Sequence, residues 1–286
     1  MDQRIIDLYD EYTHAPLDRR VFLDRLAKLA GGAAAATVLL PLLEHRAQAA
    51  IVAPDDSRVS ASMVTYPGQT GDIKGYLAKP AAGGKAGAVV VIHENRGLNA
   101  HIEDVTRRVA VAGFLALAPD LLSPSGGTPD NEDQARDMIA KLDPASTVQN
   151  AAAAVAWLRK HPEGNGKVGA VGFCWGGGMV NQLAVNDPTL DAAVAYYGAQ
   201  PDAASAAKIK APLLLHYGGL DDRIDAGIPA YKAALDKAGV SYKVYIYEGA
   251  NHAFNNDTSP ARYNAEAAKL AWDRTLAFFN EKLKGA

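Results

Sequence analysis

Short apolar runs separated by turn-rich or amphipathic stretches recur along most of this chain. They predict β-strands over 62–66, 73–78, 88–92, 114–118, 168–173, 192–197, 213–217 and 242–247. The first two runs lie close enough together to form an antiparallel hairpin. After them the runs alternate with helical periodicity over 101–112, 132–142, 147–161, 179–185, 227–238 and 262–283, with Gly and Pro at the boundaries. Strands that alternate with helices imply an α/β fold: a doubly wound, mostly parallel sheet with an antiparallel N-terminal hairpin and helices on both faces. No repeat or interdomain linker interrupts the pattern. Residues 123–130 are turn-rich, which predicts a mobile loop bordering the pocket.

Composition narrows the class of partner. The net charge of −3 gives no basic field for nucleic acid. A lone cysteine excludes an internal disulfide.

That cysteine lies in Gly172-Phe173-Cys174-Trp175-Gly176, where an apolar strand runs into a glycine-rich turn. The spacing is that of a nucleophile elbow, in which glycines leave room for a sharp strand-to-helix crossing. A free cysteine is also a common small buried hydrophobe, so its partners must decide. Asp221 follows the strand over 213–217 and is the candidate acid; its alternative is a helix cap, with Asp222 and Asp225 as rivals. His252 follows the strand over 242–247 and is the candidate base; its alternative is an exposed loop histidine. The order nucleophile, acid, histidine is that of α/β-hydrolases. Backbone N–H groups of Trp175 and Asn95 are the candidate oxyanion donors, while the Asn95 side chain could instead cap the following turn. Tyr197 and Phe254 could line an apolar pocket or belong to the core.

His93, Glu94 and His101 lack the H-E-x-x-H spacing of a zinc site, and Gly176-Gly177-Gly178 lacks the lysine and hydroxyl of a phosphate loop. No metal or cofactor is expected.

The segments His93-Glu94-Asn95-Arg96-Gly97-Leu98-Asn99, 172–178, Gly218-Gly219-Leu220-Asp221 and Asn251-His252-Ala253-Phe254 together resemble the dienelactone hydrolase (carboxymethylenebutenolidase) family over roughly residues 60–284. The resemblance implies the α/β-hydrolase fold and a hydrolase of small carboxylic esters or lactones, working through a Cys174, His252, Asp221 triad and a thioester acyl-enzyme. It also implies that Glu94 contacts the resting thiol and takes its proton; read alone, Glu94 could be a solvated loop carboxylate. Dienelactone hydrolases hold a substrate carboxylate with two arginines. The corresponding stretches here, 122–125 and 254–257, contain none, leaving Arg96 or Arg262 to substitute. The missing clamp motivates an alternative reading, a catalytically silent exported binding protein on the same fold.

The amino terminus speaks to location. Asp18-Arg19-Arg20-Val21-Phe22-Leu23-Asp24 precedes a small-residue-rich apolar run to Leu43 and then Ala47-Gln48-Ala49. Paired arginines, an apolar run and an A-x-A site predict a signal for the twin-arginine export machinery over residues 1–49. Cleavage is expected near Ala49–Ala50, releasing a periplasmic single domain over 50–286. The apolar run is too short for a stable membrane span. The alternative is an amphipathic helix with a flexible alanine-rich tail.

Overall fold

A computed structural model describes residues 1–15, 17–44 and 50–284. Three helices come first, α1 (Gln3–His14), α2 (Arg19–Ala30) and α3 (Ala33–Leu43). The α/β domain follows as β1 (Val59–Gly68), β2 (Gly71–Pro80), β3 (Ala86–Ile92), α4 (Ala100–Val111), β4 (Leu115–Pro119), α5 (Glu132–Ile139), α6 (Pro144–Arg159), β5 (Gly164–Phe173) and α7 (Trp175–Asn186). It closes with β6 (Ala192–Tyr196), β7 (Leu213–Gly218), α8 (Asp222–Asp225), α9 (Ile228–Ala238), β8 (Tyr242–Tyr247) and α10 (Ala265–Leu283).

The strands form one sheet in the order β1-β2-β4-β3-β5-β6-β7-β8. β1 pairs antiparallel with β2 and β2 antiparallel with β4; every later pairing is parallel. The central strands read as continuous apolar runs because both faces are covered. In β3, Ala88, Val90 and Ile92 enter a core shared with α6, α7 and α9. Val89 and Val91 point the other way, into a core with α4 and α10. This alternation over a doubly covered sheet is the predicted architecture.

Element ends differ from the spacing-based reading where caps intervene. The Asp143 side chain accepts from Ser146 N and starts α6 at Pro144. Asn264 accepts from Ala267 N and delays α10 to Ala265. Residues 123–130 do not border the cavity described below. Thr128 is tied to Asp120 through both its N–H (2.9 Å) and its hydroxyl (2.8 Å), and α5 forms the cavity wall instead.

Residues 1–44 are helical throughout most of their length, and the alanine-rich stretch is a helix rather than an irregular tail. Ile5, Leu8, Tyr9 and Tyr12 of α1 pack with Phe22 and Leu26 of α2 and with Ala36 and Leu43 of α3 in a small core of their own. The Tyr12 and Phe22 rings stack 4.3 Å apart. The chain reverses at Gly31 and Gly32, so α2 and α3 meet at 111°; no single helix among the described residues is long and apolar enough to cross a membrane, although this bent pair passes by length and composition. Of the cleavage site expected near Ala49–Ala50, the Ala47-Gln48-Ala49 motif lies outside the described residues.

Candidate active site

The carboxyl ends of β3, β5, β7 and β8 converge on one edge, where open parallel sheets collect their functional groups. Cys174 joins β5 to α7 with φ 57° and ψ −118°, a conformation costing of order 1–3 kcal/mol outside glycine. The crossing demands the flanking glycines. A Cβ on Gly172 would stand 2.1 Å from Gly176 O, and one on Gly176 would stand 2.4 Å from His93 O. The N–H of Trp175 opens α7, where the first donors have no partner within the helix. The Trp175 indole stacks on the His93 imidazole at 5.3 Å.

Asp221 makes two contacts. Its carboxylate caps α8 by accepting from Ile224 N at 3.4 Å, and its Oδ2 lies 2.6 Å from Nδ1 of His252. All three side chains, Cys174, Asp221 and His252, are buried. With Nδ1 taken by Asp221, Nε2 of His252 is buried and has no partner among the described residues. Ala253 follows with φ 62°, and Tyr197 after β6 has φ 38°, so three non-glycine residues at this edge carry positive φ.

The sulfur's close neighbour comes from an unexpected place. Nε2 of His14, the last residue of α1, lies 3.0 Å from Cys174 Sγ. Nδ1 of His14 faces Asp10 one turn earlier, 2.9 Å from its carbonyl oxygen and 3.1 Å from Oδ1. Burial and the nearby His252 work against a charge on His14, but its contacts with Cys174 and its hydrogen bond to Asp10 outweigh them and raise its pKa above the ordinary value. Burial would raise the Asp10 carboxyl, yet His252, His14 and Arg223 hold it far below the usual carboxylate range. The two imidazoles meet edge to face, 4.5 Å between centroids.

A cavity of about 890 Å³ opens beside the sulfur. Trp175, Tyr197, Ala199, Ile139 and Ile224 line its apolar part, and Tyr12 to Ala15 of the amino-terminal segment form one wall. The Tyr197 hydroxyl is buried without a partner among the described residues, and burial pushes it well above its usual pKa. Phe254 is absent from this lining. It is fully buried, packed against Tyr196, Tyr197 and Tyr247 behind the site, because the turn after β8 carries it into the core shared with α10.

Residues 73–283 match the dienelactone hydrolase family. The chain belongs to that family. A "putative carboxymethylenebutenolidase" of Synechocystis sp. is 34% identical over 79% of this chain and 98% of its own length. Another of that name from Methylorubrum extorquens is 36% identical over 80% of this chain and 84% of its own. Among solved structures, a "putative dienelactone hydrolase" from Klebsiella pneumoniae superposes with a TM-score of 0.70 at 31% identity, covering 78% of this chain and 99% of that one. A dienelactone hydrolase-like promiscuous phosphotriesterase from metagenomic libraries gives 0.71 at 27%, covering 79% and 100%. Residues 1–32 separately match a family described as YqhI-like.

Against the pattern of dienelactone hydrolases, the surroundings of Glu94 and the arginines stand out. Glu94 is buried, not solvated, and its Oε2 accepts from Asn256 Nδ2 at 2.6 Å. Asn95 caps nothing; its Nδ2 donates to Thr13 O at 2.7 Å and tethers α1. Arg96 and Arg262 are buried rather than solvated; neither lines the large cavity, but both border a small pocket that also touches Cys174, His252 and Glu94. Arg96 donates to Glu132 O and lies 3.6 Å from Asp133 Oδ1. Arg262 bonds Ser259, covers the Tyr9 ring and lies 3.9 Å from Asp10. Of the histidines near the loop, His101 pairs with Asp257 at 3.2 Å and His93 bonds Glu94 O, so these two do not converge on a common point with Glu94.

Proposed function

We propose that this member of the dienelactone hydrolases cleaves small, largely uncharged carboxylic esters or lactones through Cys174, His252 and Asp221. The observation that carries the reading is the Asp221–His252 contact at 2.6 Å beside a strained, buried cysteine. Asp221 fixes the His252 tautomer and supports its charge. His252 takes the thiol proton, and the sulfur attacks the carbonyl carbon. The resulting oxyanion sits between the N–H groups of Trp175 and Asn95, each such donor being worth about 2.7–4 kcal/mol in the transition state. As the carbonyl re-forms, the bond to the alkoxide breaks and His252 returns the proton to that oxygen. A thioester remains. Water then attacks it, giving its proton to His252, and the carboxylic acid leaves as the thiol is restored.

Substrate charge follows from the arginines. Arg96 and Arg262 are already paired, so neither offers a free fork to a substrate carboxylate. An activated aryl ester tests the reading: the metal-stripped full chain should hydrolyse it, and Cys174→Ala and His252→Ala should each lose at least about 1,000-fold in kcat/KM. Equal rates in all three would overturn it in favour of a silent binding protein.

We also propose that residues 1–49 direct export by the twin-arginine route, on the strength of Arg19-Arg20, the apolar run and Ala47-Gln48-Ala49. Amino-terminal sequencing of the periplasmic protein checks it. A product beginning near Ala50 is expected; a chain retained in the cytoplasm with Met1 or Asp2 intact would contradict it.

A further inference from the structure

We propose that the chain with its amino-terminal segment attached holds a zinc-type divalent cation between Cys174 Sγ, His14 Nε2 and the His252 nitrogen not taken by Asp221. One ligand atom from each residue lies within 4.8 Å of the other two. Zinc bonds of about 2.3 Å to sulfur and about 2.0–2.1 Å to nitrogen, in tetrahedral array, place ligand atoms about 3.5 Å apart. His14 Nε2 and Cys174 Sγ are already 3.0 Å apart, so closing the site takes shifts of roughly an ångström at the third ligand.

The groups behind the ligands supply the independent support. Metal-binding histidines ordinarily give their second ring nitrogen to a carboxylate, which fixes the tautomer and strengthens the ligand. Both imidazoles here do so: His14 Nδ1 faces Asp10 and His252 Nδ1 faces Asp221. His252 Nε2 is buried without a partner among the described residues, an arrangement that is unfavourable unless something binds there. A nitrogen and thiolate donor set favours zinc or cobalt and disfavours calcium or magnesium, which take oxygen. The neighbouring cavity gives the fourth position to water.

Three distant parts of the chain meet in this site: the end of α1, the β5–α7 turn and the loop after β8. Loss of residue 14 leaves only two ligands. Tight binding therefore requires the docked segment, and on binding the thiol proton is released to solvent. Under the proposed hydrolytic mechanism, the ion would occupy both the nucleophile and the base and silence the enzyme; the binding itself does not depend on that mechanism.

The test uses the full chain from Met1, stripped of metal and titrated with Co²⁺ and then Zn²⁺. One Co²⁺ per chain should bind with a thiolate-to-cobalt charge-transfer band, and Zn²⁺ should displace it. Cys174→Ser should abolish the band. His14→Ala should weaken Zn²⁺ binding at least about 100-fold, and the milder Asp10→Asn by about tenfold, as loss of an outer partner does. No band at one equivalent, or the same affinity in folded His14→Ala and Asp10→Asn chains, would overturn the site and leave a simple thiol–imidazole contact. Because the readout is spectroscopic, a chain that is inactive when metal-stripped and yet binds Co²⁺ would count against the hydrolase reading alone.

Discussion

Asn256 holds Glu94. Its Nδ2 donates to Glu94 Oε2 at 2.6 Å, and its Oδ1 accepts from the N–H and hydroxyl of Thr258 at 3.0 and 2.6 Å. The carboxylate that the family resemblance directs at the resting thiol is thus held by Asn256, while His14 Nε2 lies 3.0 Å from the sulfur. Asn256→Ala should lower stability by about 1.5–3 kcal/mol, the range for a hydrogen bond to a charged group. Asn256→Asp should cost more, since two carboxylates would face each other at that distance. Denaturant midpoints at pH 7 check both, and an unchanged midpoint in either variant contradicts the assignment.

The elbow sets a steric prediction. Gly172→Ala places a methyl 2.1 Å from Gly176 O and 2.9 Å from a Val180 methyl, where backbone must move. Overpacking of this kind costs about 1–3 kcal/mol and here also displaces Cys174. A lowered melting temperature together with slower alkylation or turnover at Cys174 is expected. Wild-type values of both would show that the turn is looser than described.

Acid stability should report on His216. It is fully buried in β7, with Nδ1 2.9 Å from the Tyr247 hydroxyl and Nε2 3.2 Å from Thr275 Oγ1, and burial lowers its pKa to about 3. The unfolded chain takes up a proton near pH 6.5 that the folded chain refuses until about pH 3. Its contribution is therefore whole above pH 6.5 and is lost as pH falls through that window, at up to about 1.4 kcal/mol per pH unit. Urea titrations from pH 7 to pH 4 should show this slope, and His216→Asn should flatten it whatever its effect at pH 7. An equal slope in the variant would contradict the assignment.

Substrate charge gives a kinetic prediction. With Arg96 and Arg262 committed to Asp133, Asp10 and their neighbours, a lactone bearing a carboxylate should gain less than about tenfold in kcat/KM over its neutral analogue, well short of a bidentate arginine clamp. A preference of 100-fold or more for the charged member would mean that an arginine swings into the cavity.

Most of the sheet was legible because buried parallel strands leave compact apolar runs such as Ala88–Ile92; Cys174 and Asp221 follow such runs, and His252 follows the alternating edge strand β8. The glycines around Cys174 could be read for the same reason: only a close backbone crossing requires them. Solvation was harder to read. Arg96 and Arg262 look like loop arginines in the sequence, but partners far along the chain bury them. Phe254 lies one residue past the strained Ala253, and nothing in its spacing shows that the turn directs it to the core. The largest gap was the amino terminus. The apolar face Ile5, Leu8, Tyr9, Tyr12 signals a packing helix, but no local pattern shows that it docks over the site and delivers His14 to a sulfur 160 residues away.

The central claim is that Cys174 carries the acyl group during ester cleavage. Intact-protein mass spectrometry of the metal-stripped chain, quenched soon after mixing with an aryl ester, tests it most directly. The account predicts one acyl adduct per chain, mapped to Cys174 and absent from Cys174→Ala. Turnover of the ester by Cys174→Ala at the wild-type rate, with no adduct on the sulfur of the unaltered chain, would contradict it.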